Sequence, residues 1–119
     1  MKKKCLALFI LITLLVQGCG ETKCFEDNAR FGAFDTEKTE KFIINSDSTF
    51  EADFEGTVES GNMIVKVYND AGDDIYFFEG KDFKDSISVN LTEGIYYYYI
   101  KMEQCKNGHF HNKGYIRKK

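Results

Sequence analysis

The sequence predicts an all-β protein, a single small antiparallel β-sandwich of about seven strands, with a β-barrel as the alternative. After residue 41, apolar and polar residues alternate with a period of two, and no apolar stripe of helical spacing has useful length. Clusters of Gly, Asn, Asp and Ser separate the alternating segments. The chain has 119 residues with 11 Phe and 7 Tyr, which allows one domain with a large apolar core and disfavours disorder.

Seven segments carry the strand pattern. In the second, third and fifth of them, the apolar residues at alternate positions are predicted to share the inward side. In the second, Phe50, Ala52 and Phe54 point to this side while acidic residues point to the other, as in a half-buried antiparallel strand. The segment Phe25–Lys38 is compatible with a strand, a short helix or a wrapping segment. The predicted strands are Lys41–Asn45, Thr49–Glu55, Met63–Tyr68, Asp74–Glu79, Ser86–Leu91, Ile95–Gln104 and His109–Arg117.

Residues tolerant of positive φ predict the turns between these strands. Asn69–Asp73 is predicted to be a hairpin turn, and Ser60–Asn62 is predicted to interrupt the chain. Asn107-Gly108 is the strongest short hairpin signal, so we expect the last strand to return beside Ile95–Gln104. Shorter turns are expected at Ser46–Ser48 and Thr92–Gly94.

The first 18 residues have the pattern of an export signal. Lys2, Lys3 and Lys4 precede the apolar run Cys5–Val16, which is shorter than the about 20 residues that a membrane-spanning helix needs. The run ends in Leu15-Val16-Gln17-Gly18-Cys19, which resembles the lipobox of bacterial lipoproteins. The alternative is an ordinary cleaved signal with an incidental cysteine.

The resemblance implies that Cys19 is acylated, with palmitate among the chains, and becomes the first residue of the mature protein. The predicted organisation is a lipoprotein signal peptide over residues 1–18, a lipidated tether over 19–23 and a β-sandwich domain over 24–119. The expected location is the extracytoplasmic face of a cell membrane, with the bilayer bound through the lipid on Cys19.

The charge balance disfavours nucleic acid as a partner. The chain has 16 basic and 19 acidic residues, and loss of the signal removes three of the lysines. No basic stripe remains to neutralise phosphates. We therefore expect the lipid, and not a basic surface, to hold the protein to the membrane.

Two cysteines, Cys24 and Cys105, remain after the signal and the lipidation site are set aside. In an exported domain such a pair most simply forms one disulfide, so we expect this bond. The alternative is a nucleophilic or metal-binding thiol, because His109 and His111 are close to Cys105 in sequence.

Four stretches combine turn residues with alternating strands: Gly61-Asn62, Asp70–Gly72, Ile87–Ile100 and Gly108–Ile116. In this order they resemble small β-sandwich lipoproteins of bacteria, and the resemblance covers about residues 40–117. These features bear on the fold, and many such proteins have no assigned function, so the resemblance implies no catalytic residues.

Few residues carry a recognisable chemical pattern. His109 and His111 share one face of a strand and could meet one metal ion, although exposed histidines on a polar hairpin are the simpler interpretation. The acidic segment Asp70–Asp74 lacks the ligand order of a calcium loop and is interpreted as a solvated turn. No Gly-x-Ser-x-Gly nucleophile elbow is present, and no pair of carboxylates is singled out for acid–base catalysis. We therefore predict no enzyme activity and no cofactor.

Tyr96, Tyr97, Tyr98 and Tyr99 follow one another in a predicted strand, so one pair must lie on the outer face of its sheet. Either the N-terminal phenylalanines cover that pair, which we expect, or an aromatic surface stays exposed as a binding platform. The phenylalanines concerned are Phe25, Phe31 and Phe34.

The sequence thus predicts a membrane-anchored, non-catalytic binding or structural module. An envelope protein is the expected partner, recognised through the tyrosine face or an edge strand. Two alternatives are a metal-binding envelope protein that uses His109 and His111, and a small inhibitor of a cell-wall hydrolase.

Overall fold

A computed structural model describes residues 21–118, which form one antiparallel sheet of five strands joined by short turns. These residues contain no helix, and hence none that could cross a membrane. The predicted all-β antiparallel fold is confirmed. The predicted signal peptide and Cys19 lie outside the described residues. The strands are β1 (Glu21–Ile44), β2 (Ser48–Asn69), β3 (Asp74–Gly80), β4 (Asp82–Leu91) and β5 (Gly94–Lys118).

The C-terminal strand β5 lies between β1 and β2 and pairs with both along most of its length. On its other side, β2 pairs with β3 over its second half and with β4 over its first half. Among the described strands, β1 forms one edge of the sheet and β3 with β4 forms the other, and no ladder joins the two edges. The sheet is therefore open, and the barrel alternative is wrong.

All the long strands bend along one line, which we call the bend line. The ladder shifts register between Phe34 and Thr36 in β1 and around Gly61 in β2, while Gln104 of β5 has a φ of 52°. Gly61 has a φ of 101°, and a Cβ there would lie 2.5 Å from the backbone oxygen of Gln104. Only glycine allows the bends of β2 and β5 to abut in this way.

The bend folds the sheet onto itself and produces the two layers of the sandwich. The first layer contains residues 21–34, 48–60, 105–118 and β4; the second contains residues 36–44, 62–69, 94–103 and β3. The ring centroids of Phe25 and Phe42 are 5.8 Å apart although both residues belong to β1, because the strand returns over its own start. We call the end opposite the bend line the open end.

The structure has five strands where the sequence predicted seven. Two predicted strands, Thr49–Glu55 and Met63–Tyr68, belong to β2, and two others, Ile95–Gln104 and His109–Arg117, belong to β5. The predicted hairpin at Asn107-Gly108 is wrong. Asn107 has a φ of 51°, but the chain continues in the same direction because β1 and β2 pair with it on both sides of the irregularity.

The N-terminal part of the domain is also more regular than expected. The segment Phe25–Lys38 is strand throughout, as part of β1. Residues 21–23, which were expected to belong to the tether, are already paired with β5, since Glu21 lies opposite Arg117. Residues 19 and 20 of the expected tether lie outside the described residues.

The space between the layers is filled mainly by aromatic rings. Phe25 stacks on Tyr98 with centroids 4.4 Å apart, and Phe42 stacks on Phe50 at 5.8 Å. The predicted inward sides of two strands are confirmed, because their apolar residues are all buried. These residues are Phe50, Ala52 and Phe54 in the first layer and Met63, Val65 and Val67 in the second.

A small polar network crosses this core. The Tyr98 hydroxyl donates to Asp27 Oδ2 at 2.9 Å and accepts a hydrogen bond from Asn112 Nδ2 at 2.9 Å. Lys38 Nζ lies 3.0 Å from Asp27 Oδ1. Since Tyr98 and Lys38 belong to the second layer and Asp27 and Asn112 to the first, the network fixes how the layers face each other.

The predicted Cys24–Cys105 disulfide is wrong, because both cysteines are free. Cys105 lies opposite Phe34 near the bend line, whereas the neighbours of Cys24 pair with residues 114 and 115 near the open end. The ten residue steps from 24 to 34 correspond to roughly 30 Å of strand. A disulfide requires Cα atoms about 4.4–6.8 Å apart.

Candidate functional site

The two outer faces of the sandwich differ in chemistry. The outer face of the first layer is ionic, since Arg117 lies 3.0 Å from Glu51 and 3.1 Å from Glu21. On the same face, His111 Nε2 lies 3.2 Å from Glu26 Oε2. The outer face of the second layer, in contrast, carries a group of neighbouring aromatic and aliphatic side chains.

We call four aromatic residues of this second outer face, together with the lysine among them, the aromatic face. In the ladders, Tyr68 lies opposite Tyr97, and Lys66 lies between Phe77 on one side and Tyr99 on the other. The aromatic face comprises Lys66, Tyr68, Phe77, Tyr97 and Tyr99.

Exposed apolar area concentrates on this side of the molecule. Within the described part of the chain, the large apolar side chains that stand out as exposed are Ile43 at 55%, Phe77 at 51% and Ile95 at 36%. Phe77 belongs to the aromatic face, and Ile43 pairs directly with Ile95 at its open end. Contiguous exposed apolar surface of this kind usually marks a contact site.

The rings of the aromatic face are held by one another and by a cation. Tyr97 stacks on Tyr68 with centroids 5.2 Å apart and planes 24° apart. Lys66 Nζ lies 5.2 Å from the centroid of Tyr68 and 5.8 Å from that of Tyr99. Each such cation–π contact contributes about 0.5–1 kcal/mol at an exposed site, so the rings are ordered before any partner arrives.

Carboxylates orient the tyrosine hydroxyls at the edge of this surface. The Tyr99 hydroxyl donates to Glu37 Oε2 at 2.6 Å, and that of Tyr97 donates to Asp70 Oδ1 at 3.0 Å. The hydrogen bond to Glu37, with a smaller effect of burial, raises the pKa of Tyr99 to about 12. The pKa of Tyr97 is also raised, first by its bond to Asp70. Both phenol groups therefore stay neutral at physiological pH. Each hydroxyl has a carboxylate as its hydrogen-bond partner.

The structure identifies the outer pair of tyrosines as Tyr97 and Tyr99, which are half-buried, while Tyr96 and Tyr98 lie in the core. The expectation that three phenylalanines cover the outer pair is wrong. Phe25 lies in the core, and Phe31 stacks on Phe34 near the bend line with centroids 5.0 Å apart. Since β1 runs beside β5 and not across it, these phenylalanines do not lie over the tyrosines.

The two histidines lie on the outer face of the first layer, with His109 half-buried and His111 exposed. Hydrogen bonds from Lys23 and then His111 lower the pKa of Glu26, which pairs with both side chains. Over residues 21–118, no group of three or more His, Cys, Asp or Glu side chains could hold a metal ion. The His109/His111 pair lacks a third ligand in this part of the chain.

An open depression of about 740 Å³ lies at the bend line and is lined chiefly by polar side chains. Asp35, Glu37 and Glu103 contribute carboxylates, and Lys101 pairs with Glu103 at 3.5 Å. The depression is shallow and does not include the aromatic face. We therefore regard the aromatic face as the stronger candidate site.

Sequence reasoning found Tyr97 and Tyr99 but missed their companions on other strands. Phe77 belongs to a predicted strand that is apolar on both sides. Such a strand has to present apolar side chains on the outer face of its sheet, and this was the signal for Phe77. Nothing in the sequence indicated that Lys66 and Tyr68 belong to the same surface, because only the register of β2 against β5 brings them beside the tyrosines.

Comparison with models of known protein families finds no match for this chain, and comparison with curated proteins likewise finds none.

Proposed function

We propose that this protein is a lipoprotein held at the extracytoplasmic face of a cell membrane, and that it acts as a non-catalytic binding module. The aromatic face is the contact surface in this proposal. One observation carries it: Phe77 is about half exposed on the same outer face as Tyr99 and the stacked pair Tyr68 and Tyr97.

The composition of the aromatic face suits a protein partner. Its centre consists of aromatic rings around Lys66, whereas its edge carries Asp70 and Glu37 with their hydrogen bonds to the tyrosines. Aromatic residues at the centre and polar groups at the rim are the usual anatomy of protein–protein interfaces. Tyrosine is also enriched among the residues that contribute most to binding.

The location rests on the leader and the lipobox-like sequence that ends at Cys19. A lipid anchor so close to the sheet keeps the domain beside the bilayer, so the partner has to be another protein of the cell envelope. Intact-mass measurement of the membrane-extracted protein tests this part. Acylation at Cys19 is expected, and an unmodified mature chain would contradict it.

Capture experiments test the contact surface. The lipidated protein, solubilised in mild detergent, is immobilised and exposed to solubilised envelope proteins. The variant Tyr97→Ser/Tyr99→Ser should lose the specific partner, because truncation of a binding hot spot costs about 2 kcal/mol or more, which is roughly 30-fold in affinity.

The matched control is Tyr115→Ser on the ionic outer face. Tyr115 also lies under a lysine, with Lys113 Nζ 5.8 Å from its centroid, so the control removes a similar cation–π contact. It should retain the partner. Equal recovery of the partner by the wild type, the double variant and the control would refute the assignment of the aromatic face.

A further inference from the structure

We propose that one corner of the open end, formed by Lys41, Ile43 and Ile95 and here called the anchor corner, rests in the headgroup region of the bilayer. This inference rests on the lipid anchor at Cys19 in the proposed function. It divides the outer face of the second layer into two parts: the isoleucine pair meets lipid, and the aromatic face remains available to a protein.

The chain enters the domain at this end. Only two residue steps separate Cys19 from Glu21, the first residue of β1, and an extended chain spans at most about 3.6 Å per residue. Glu21 is fixed in the sheet by pairing with Arg117, whose Nη2 lies 3.1 Å from Glu21 Oε2. A lipid on Cys19 would therefore hold the open end within about 7 Å of the bilayer.

The isoleucine pair lies at the same end. Phe42, which precedes Ile43, contacts both Phe25 and Phe50, at 5.8 Å between centroids in each case. Phe25 is four residues from Glu21 and Phe50 is two residues from the start of β2, so the end of β1 lies close to its beginning. Ile43 and Ile95, 55% and 36% exposed, thus lie beside the point where the chain leaves for the lipid.

Charge at the open end is mixed near the isoleucine pair, where Lys41 is accompanied by the turn residues Asp47 and Glu93, and it is acidic at the opposite edge. Lys41 is exposed and lies on the same outer face two residues before Ile43. The acidic turn Asp70–Asp74 lies across the sheet, at the edge formed by β2 and β3. Phosphate headgroups attract a cation and repel carboxylates, so the domain should tilt with its β1 edge toward the membrane and the acidic turn away from it.

The anchor makes this weak contact effective. Partial burial of two isoleucine side chains does not suffice to recruit a soluble protein to a membrane. Once the chain is tethered, docking of the corner becomes an intramolecular step at high effective concentration. The corner then sets the orientation of the domain, and the lipid supplies the residence time.

Tryptophan fluorescence provides a direct test, because the chain contains no Trp. The lipidated variant Ile95→Trp, produced from the full chain, is reconstituted into phosphatidylcholine vesicles with and without brominated acyl chains. We expect its emission to shift to the blue on reconstitution and to lose most of its intensity with the brominated lipid. Ile43→Trp, at the residue paired with Ile95, should behave in the same way.

Phe77→Trp is the matched control, since it introduces the same fluorophore at an exposed position of the same outer face but further from the open end. Its emission should change little. Vesicle-bound protein in which neither Ile43→Trp nor Ile95→Trp is quenched would overturn the inference. Equal quenching of Phe77→Trp would also overturn it, because the whole outer face would then lie flat on the lipid.

The outcomes also separate this inference from the proposed function. If the protein does not float with the vesicles, the lipid anchor has failed, and the proposed function fails with it. In a third outcome, the emission of the Ile95→Trp variant shifts to the blue but is not quenched by the brominated lipid, and cross-linking yields a dimer. This outcome overturns the inference, because the isoleucine pair then contacts a second copy of the chain instead of lipid.

Discussion

Phe54 and Tyr76 stack face to face across the interior, with ring centroids 4.0 Å apart and planes inclined by only 2°. Phe54 belongs to β2 in the first layer and Tyr76 to β3 in the second. The Tyr76 hydroxyl also donates to Asp85 Oδ2 of β4 at 2.6 Å, so Tyr76 makes a second contact with the first layer. This pair closes the open edge of the bent sheet, where no ladder joins the layers.

Removal of the Phe54 ring should cost far more stability than removal of the Tyr76 hydroxyl. Phe54 is 1% exposed, so Phe54→Ala is expected to lower the free energy of unfolding by about 3–5 kcal/mol. Tyr76→Phe keeps the stack and loses one hydrogen bond, at a cost of about 1 kcal/mol. Urea unfolding measures both. Similar losses for the two variants would show that the ring contact is not what joins the layers.

Gly61 should not tolerate a side chain, although it lies within a strand. Its φ is 101°, and a Cβ would approach backbone atoms of Gln104 and Cys105 at 2.5 and 2.6 Å, where no flexible side chain can yield. Positive-φ strain alone would cost about 1 kcal/mol. We expect Gly61→Ala to lower the free energy of unfolding by more than this, because the Cβ also clashes with the backbone of β5.

Gly32→Ala is the control for this substitution, because nothing lies within 4 Å of its would-be Cβ. That variant should be neutral or stabilising by up to about 1 kcal/mol, through the reduced freedom of the unfolded chain. Equal effects of the two substitutions in thermal or urea unfolding would contradict the tight bend between β2 and β5.

Both thiols should be free and slow to react. Burial raises the pKa of Cys24 to about 12 and also raises that of Cys105, so little thiolate is present near neutral pH. A thiol reagent should label two cysteines rapidly in the denatured mature chain without reductant and few in the native protein. Cys19 does not contribute, provided that its sulfur carries lipid.

The same structure predicts that stability does not depend on reductant. Dithiothreitol should leave the urea midpoint unchanged, because no bond is broken when it is added. A large destabilisation by the reductant, together with the absence of free thiols in denaturant, would show that the Cys24–Cys105 disulfide predicted from the sequence does form.

Acid should remove the contribution of the Glu26 ion pairs. The folded-state pKa of Glu26 is lowered by hydrogen bonds from Lys23 and His111, so its contribution is present above the unfolded value near 4.5. This contribution is lost as the pH falls through the lower folded-state pKa. Glu26→Gln should therefore flatten the acid side of the stability–pH curve.

Glu93→Gln, in the exposed turn before β5, makes the same change of charge without removing a described ion pair, and it should keep the acid dependence of the wild type. Unfolding measured from pH 7 down to the acid transition tests both variants. A curve for Glu26→Gln that parallels the wild type would contradict the assigned ion pairs.

Several local features followed from the residues alone. Asn69–Asp73 forms the predicted turn, in which the Asn69 side chain accepts hydrogen bonds from the backbone N–H groups of Ala71 and Asp73. The alternation of Ser86–Leu91 correctly gave its inward side, since Leu91 is buried and the serines are exposed. Such features depend on φ preferences and on the two-residue period of a strand, which need no knowledge of neighbouring strands.

Other features were decided by the pairing of distant strands. A residue that tolerates positive φ does not by itself specify a hairpin. Gly61 lies at a register shift of the ladder, and Asn107 lies within a continuous strand, because β5 inserts between β1 and β2. The same insertion separates Cys24 from Cys105 and gathers Lys66, Tyr68 and Phe77 around the outer tyrosines. Sequence thus determined the inward side of the strands in which apolar and polar residues alternate. Only the tertiary structure decided which strands are neighbours and which tyrosines face outward, since register depends on contacts far apart in the chain.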